Sequence, residues 1–158
     1  QYLETAGQVL ESAYPYTSGQ GQSGTCQMRG TPQVYVSGVV KVPANSSEQL
    51  KAAIYQGPCS VTVAAESSAF MGYTSGIVNT PSCGTQLDHA ITGVGYGVEN
   101  GQEYYIIRNS WGPTWGEQGY IRIATQKLDQ VSAVSNKLPS GQLSESQLLE
   151  LLFEGDLL

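Results

Sequence analysis

The stretch from Leu87 to Ile123 constrains the fold more than any other part of the chain, because two β-rich runs flank a dipeptide suited to a tight reversal. The runs are His89 to Val98 and Glu103 to Asn109, and Asn100-Gly101 between them are residue types that accept the positive φ a two-residue hairpin needs. An antiparallel pair is expected here, with His89 opening one strand and Asn109 closing its partner. Those two positions lie at the same end of the ladder, close enough to hydrogen-bond. A carboxamide oxygen that accepts one imidazole N–H fixes the tautomer and leaves the other ring nitrogen toward a nucleophile. A lone histidine in a half-buried strand is otherwise a structural residue, so the pairing with Asn109 is what gives this one, the only histidine in the chain, its chemical interest.

The words around both residues are specific. The first reads Asp88-His-Ala-Ile-Thr-Gly-Val-Gly-Tyr-Gly, and the second reads Asn109-Ser-Trp-Gly-Pro-Thr-Trp-Gly-Glu-Gln-Gly-Tyr. In this order and at this spacing they resemble the C-terminal half of papain-like cysteine peptidases, including the cathepsin-like members. The resemblance implies an α+β fold, the antiparallel β-barrel (right-hand) domain with short helices, and an N-terminal helical domain that is mostly absent. It implies peptide-bond hydrolysis by thiolate acyl transfer. His89 then resembles the general base and acid, and Asn109 the residue that orients it. Trp111 resembles the indole that shields their hydrogen bond from water, and Trp115 the aromatic on the leaving-group side of the cleft. Thr62, Leu87 and Ala90 would border a pocket for an apolar substrate side chain. For Trp115 and these three residues, ordinary core packing is the competing reading.

Composition bounds the alternatives. With 158 residues, 40% of them hydrophobic, the chain can bury a core, and 19 glycines and 10 tyrosines favour strands and turns over helices. Seven Lys and Arg against 13 Asp and Glu give a net charge of −6 with no basic cluster, so the electrostatic footprint of a nucleic-acid binder is missing. No apolar run approaches the roughly 20 residues of a membrane span, and the sequence opens at Gln1 without a basic-then-apolar leader, as a mature or cut product would. A lysosomal or extracellular setting follows from the resemblance alone.

Along the chain, Tyr2 to Leu10 has helical spacing, and the run to Tyr14-Pro15-Tyr16 resembles the family segment in which a long helix leads into a turn. By that resemblance the family's first portion, roughly seventy to ninety residues that supply the nucleophilic Cys and the oxyanion-hole Gln, is missing here. Thr17 to Gly30 reads as a loop, Gln33 to Val42 as a strand, and Leu50, Ala53 and Ile54 as the buried stripe of a short helix stopped at Gly57-Pro58. Two overlapping capping signals open that helix, Asn45 with Glu48 and Ser46 with Gln49. Asn45-Ser46-Ser47 is also a glycosylation sequon, and the triplet reads equally as a cap. Cys59 to Ala65 is a strand. After Ile123 the likeness to the family fails, so residues 1–125 are assigned to the peptidase portion and 126–143 to a polar linker. Residues 144–158 form a short apolar tail helix opened by Ser144 and Gln147, either a docking element or an accidental ending.

None of the three cysteines suits a nucleophile. Cys59 opens a strand and lacks the helix dipole that lowers a thiol pKa. By resemblance Cys26 matches a family cysteine that pairs with one in the missing portion, and Cys83 matches one whose partner would lie in the divergent tail, a stretch that holds no cysteine. Three cysteines and one histidine could number a zinc site, but no short Cys-x-x-Cys knuckle is present, so no metal or other cofactor is expected. The expected partners are a peptide or protein substrate and the missing portion carrying the catalytic Cys, with the isolated chain inactive. Two other readings stand beside this one: a non-catalytic interaction module using the cleft and the C-terminal leucines, and an incomplete product without a stable fold.

Overall fold

The computed structural model describes residues 2–27, 30–127 and 134–136. They divide into an N-terminal unit that runs to Val39 and a unit that runs from Val40 to Ser135.

In the first unit the expected helix is cut short. Helix α1 covers Tyr2–Thr5, and Gly7 then takes a φ of +71° that turns the chain so that Gln8 bridges Val34. A side chain at Gly7 would lie 2.8 Å from Pro32 and Tyr35, so this turn is set by a contact distant in sequence that helical periodicity does not register. The strand expected over Gln33 to Val42 is likewise reduced, to the bridge at Val34 and strand β1, Val39–Lys41.

The second unit is built on the remaining strands: β2 (Cys59–Val63), β3 (Ile77–Val78), β4 (His89–Glu99), β5 (Gln102–Arg108), β6 (Tyr120–Ala124) and β7 (Val134–Asn136). Their order in the sheet is β1-β7-β2-β4-β5-β6-β3, mostly antiparallel, with β3 parallel to β6. Among the described residues the sheet stays open and does not close into the expected barrel. The two edge strands are three and two residues long, too short to wrap the sheet back on itself. Strand β7 lies inside the stretch read as a polar linker, and pairs its Val134 and Ser135 with Ser60 and Cys59. The tail helix read over 144–158 falls outside the described residues.

Alternation explains the core. Cys59, Val61 and Val63 of β2, Ile91 of β4, Tyr105 and Ile107 of β5, and Ile121 and Ile123 of β6 share one face and are all buried. Helix α2, Ser47–Gln56, covers that face with Leu50 and Ile54, and Tyr105 donates its hydroxyl to the Ser47 carbonyl at 3.0 Å. The two capping signals ahead of α2 are not used, because Ser46 occupies the N-cap without any side-chain bond. A short helix, α3 (Ser68–Met71), does have its cap, with the Ser67 hydroxyl accepting from the Phe70 amide at 3.3 Å.

The hairpin forms as its turn residues require, with Asn100 at φ +52° and Gly101 at φ +80°. From Glu99 opposite Gln102 to Gly95 opposite Ile106 the ladder is regular. A β-bulge then intervenes: Gly93 faces Ile107, and Val94 is left without a partner. Opposed residues share a face, so this single extra residue decides which side of the sheet His89 occupies.

Candidate active site

His89 and Asn109 meet. The imidazole Nε2 lies 2.9 Å from the Asn109 Oδ1, so the ring N–H donates to the amide and Nδ1 is left on the other side of the ring. Two hydrogen bonds and burial hold this residue in place. The Ser110 backbone N–H donates to the same Oδ1 at 2.8 Å, the Asn109 N–H donates to the Gly119 carbonyl at 2.9 Å, and the residue is only 5% exposed. Val63 stands opposite His89 in the β2–β4 ladder, which fixes the backbone from the other flank. The bulge at Val94 makes the contact possible. Without it the regular register would continue Gly93 opposite Arg108 and place His89 on the face away from Asn109.

Trp111 stacks on the imidazole with ring centroids 5.4 Å apart at 27°. Trp115 lies edge-on to Trp111 at 5.5 Å and packs against Tyr73 at 5.6 Å, so it is joined to the core as well as to the site. Phe70 occupies the middle of this group. Its ring is 5.0 Å from Trp115, 5.3 Å from Trp111 and 6.1 Å from His89, and it is 4% exposed. The sequence gives Phe70 no role of its own, since the two tryptophans it meets lie about forty residues downstream.

Asp88 is a second residue that the sequence reading left without a role. Its carboxylate accepts from the amides of Ala65 at 2.7 Å and Glu66 at 3.3 Å, and its own N–H donates to the Val63 carbonyl at 3.1 Å. These bonds tie the end of β2 to the start of β4, where His89 sits.

Beneath the tryptophans, Glu117 holds the loop to the sheet. Its carboxylate accepts from Arg122 Nε at 2.9 Å and Nη2 at 2.8 Å, and from the Gly76 amide at 2.8 Å. Arg122 also pairs with Glu99 and stands over the Tyr104 ring at 5.4 Å. The guanidinium holds the Glu117 carboxyl below the usual carboxylate range, with the Gly76 amide adding to the effect. Tyr73 completes the set, donating to the Gly76 carbonyl at 2.7 Å and accepting from the Arg122 amide at 3.3 Å.

The other expected site residues are placed as follows. Thr62 and Ala90 oppose each other in the β2–β4 ladder, both half-buried, on the sheet face turned away from the core, and the Thr62 hydroxyl is buried with no hydrogen-bond partner. Leu87, two residues before the histidine, is exposed. None of Cys26, Cys59 and Cys83 is in a disulfide. Cys59 is fully buried and its thiol is pushed up by that burial, while the Cys83 Sγ lies 3.1 Å from the Thr80 carbonyl. Among the described residues no cluster of His, Cys, Asp and Glu could hold a metal ion, and no helix is long and apolar enough to cross a membrane.

A family model described as papain family cysteine protease matches residues 1–139. The chain belongs to this family. The match runs past β7, beyond the point after Ile123 where the likeness had been expected to end. Among curated relatives, cysteine proteinase EP-B 1 of Hordeum vulgare is 47% identical over 130 residues, covering 78% of this chain and 34% of its own length. Chymopapain of Carica papaya is 42% identical over 126 residues, covering 80% of this chain and 35% of its own length. The chain thus spans about a third of the curated relatives it matches. Among solved structures, the bromelain protease of Ananas comosus in complex with the E64 inhibitor superposes with a TM-score of 0.75 at 34% identity, over 87% of this chain and 66% of that one. Digestive procathepsin L2 proteinase from Tenebrio molitor gives 0.73 at 32% identity, over 87% of this chain and 45% of that one.

Proposed function

We propose that this chain is the histidine–asparagine half of a papain-family thiol peptidase site, and that the nucleophilic cysteine comes from a segment outside these 158 residues. The supporting observation is the 2.9 Å contact of His89 Nε2 with the buried Asn109 amide under the stacked Trp111 ring. In this reading Nδ1 of His89 takes the thiol proton of the nucleophile. The thiolate attacks the scissile carbonyl, and the imidazolium returns the proton to the leaving amine. Water, deprotonated by the same ring, then hydrolyses the thioester. Asn109 holds the tautomer, Trp111 keeps water from the ring–amide bond, and Trp115 lines the leaving-group side. Thr62, Leu87 and Ala90 border the pocket for an apolar substrate side chain. The burial of Cys59, which opposes thiolate formation, supports placing the nucleophile elsewhere. The family relationship supports a lysosomal or extracellular setting, outside the reducing cytosol.

A base without its nucleophile gives little rate enhancement, so the isolated chain should not turn over a fluorogenic dipeptide amide. The same chain extended by its upstream segment should do so, with a rate abolished by a thiol-directed epoxide and by His89→Ala. Epoxide-sensitive turnover by the isolated chain, or activity in the extended chain indifferent to His89→Ala, would refute the reading.

A further inference from the structure

Of the two roles the sequence leaves open for Asn45-Ser46-Ser47, the structure removes one. Neither Asn45 nor Ser46 caps α2: Ser46 stands at the N-cap with φ −125° and ψ 87° and makes no side-chain bond. Asn45 is exposed at the apex of the turn that enters the helix, with φ +60°, and its carboxamide has no hydrogen-bond partner among the described residues. Asn is among the few residue types that tolerate that backbone region, so the turn accounts for the residue but not for its side chain.

We infer that Asn45 is an N-glycosylation site of this protein. Of the five asparagines, it alone is followed two residues later by Ser or Thr; Asn79, Asn100, Asn109 and Asn136 are followed there by Pro81, Gln102, Trp111 and Leu138. The co-substrate is a lipid-diphosphate-linked oligosaccharide. The Asn45 amide nitrogen forms a bond to C1 of its first sugar, the C1–O bond to the diphosphate breaks, and one amide proton passes to a base of the transferase. The position suits a bulky adduct. Ser47 is anchored above Tyr105 by the hydroxyl bond to its carbonyl, which places the start of α2 over the middle of β5. Asn109 lies four residues beyond Tyr105 in chain order, roughly 13 Å at the usual strand rise, so the start of α2 is set apart from the His89–Asn109 contact.

This inference rests on the proposed setting outside the cytosol, and the test separates the two. The full chain is led into the secretory pathway of a eukaryotic host by a heterologous leader, whose removal reports entry independently. The addition takes place as the chain enters the lumen, so the readout does not depend on the final fold. Intact mass should fall on treatment with a peptide N-glycosidase, with Asn45 converted to Asp, and the shift should vanish in both Asn45→Gln and Ser47→Ala. A leader-cleaved chain whose mass the glycosidase leaves unchanged, or a glycan that persists in Asn45→Gln, would overturn the assignment.

Discussion

Phe70 is where the core and the candidate site are joined, and its removal is the most informative perturbation. Its ring is 4% exposed and contacts Trp115, Trp111 and His89 at centroid separations of 5.0, 5.3 and 6.1 Å. Truncation to alanine empties a site walled by rigid aromatic rings that cannot collapse into the gap, which places the cost in the range of about 3–5 kcal/mol for buried Phe→Ala. The cooperative unit from Val40 to Ser135 is roughly 100 residues, so its unfolding entropy is about 0.2 kcal/mol per kelvin and the midpoint should fall by roughly 15–25 °C. Phe70→Leu retains most of the volume and should cost less than about 1.5 kcal/mol, or roughly 7 °C. The assay is built into the protein, because both tryptophans of the chain lie against the Phe70 ring. Thermal melts followed by tryptophan emission and by far-ultraviolet circular dichroism should agree in midpoint for each variant. A fall of under about 5 °C for Phe70→Ala would show that the aromatic group is not part of the cooperative core, and would remove the argument that the core positions Trp111 over the imidazole.

Three further substitutions probe the loop that carries Trp115. Glu117→Gln loses charge-assisted bonds to Arg122 and should cost about 1–3 kcal/mol at neutral pH by chemical denaturation. The Glu117 carboxyl is held below its ordinary range in the folded state, so its contribution is present above the unfolded pKa and is lost as pH falls through the folded one. The gap between parent and variant should therefore narrow on acidification, and a gap constant down to strongly acidic pH would refute the assigned cause. Gly116→Ala should cost several times more than Gly112→Ala. Both glycines have positive φ, but a Cβ at Gly116 would lie 2.6 Å from the Tyr120 carbonyl and 2.9 Å from Tyr73, whereas Gly112 faces open space. Equal midpoints for the two variants would show that backbone conformation alone sets the cost at both positions.

What could be read from the sequence was local, and what could not was set by contacts between distant segments. The hairpin was legible because Asn100-Gly101 specify their own backbone, and α2 because Leu50, Ala53 and Ile54 repeat at helical spacing. The meeting of His89 with Asn109 was expected from strand ends alone, yet a regular ladder counted from the turn puts them on opposite faces. The bulge at Val94 corrects this, and the alternating Gly-Val-Gly-Tyr-Gly run fits either register, so nothing local reveals it. Gly7 ended the first helix through its packing against Pro32 and Tyr35, and Phe70 gained its role from rings about forty residues downstream. The open sheet has a similar origin. Closure of the expected barrel depends on the lengths of edge strands, which composition does not fix.

The unpaired Val94 also separates two halves of one hairpin that would otherwise share a fate. On the far side of it, from Gly95 to the Asn100-Gly101 reversal, β4 has β5 as its one ladder partner, while the near side of β4 is gripped by β2 as well and by the Asp88 clamp. Along β4, the bulge therefore stands between the tip and the imidazole. That makes the reversal a natural place to graft a foreign peptide into this scaffold while the ring and the amide keep their hold on each other.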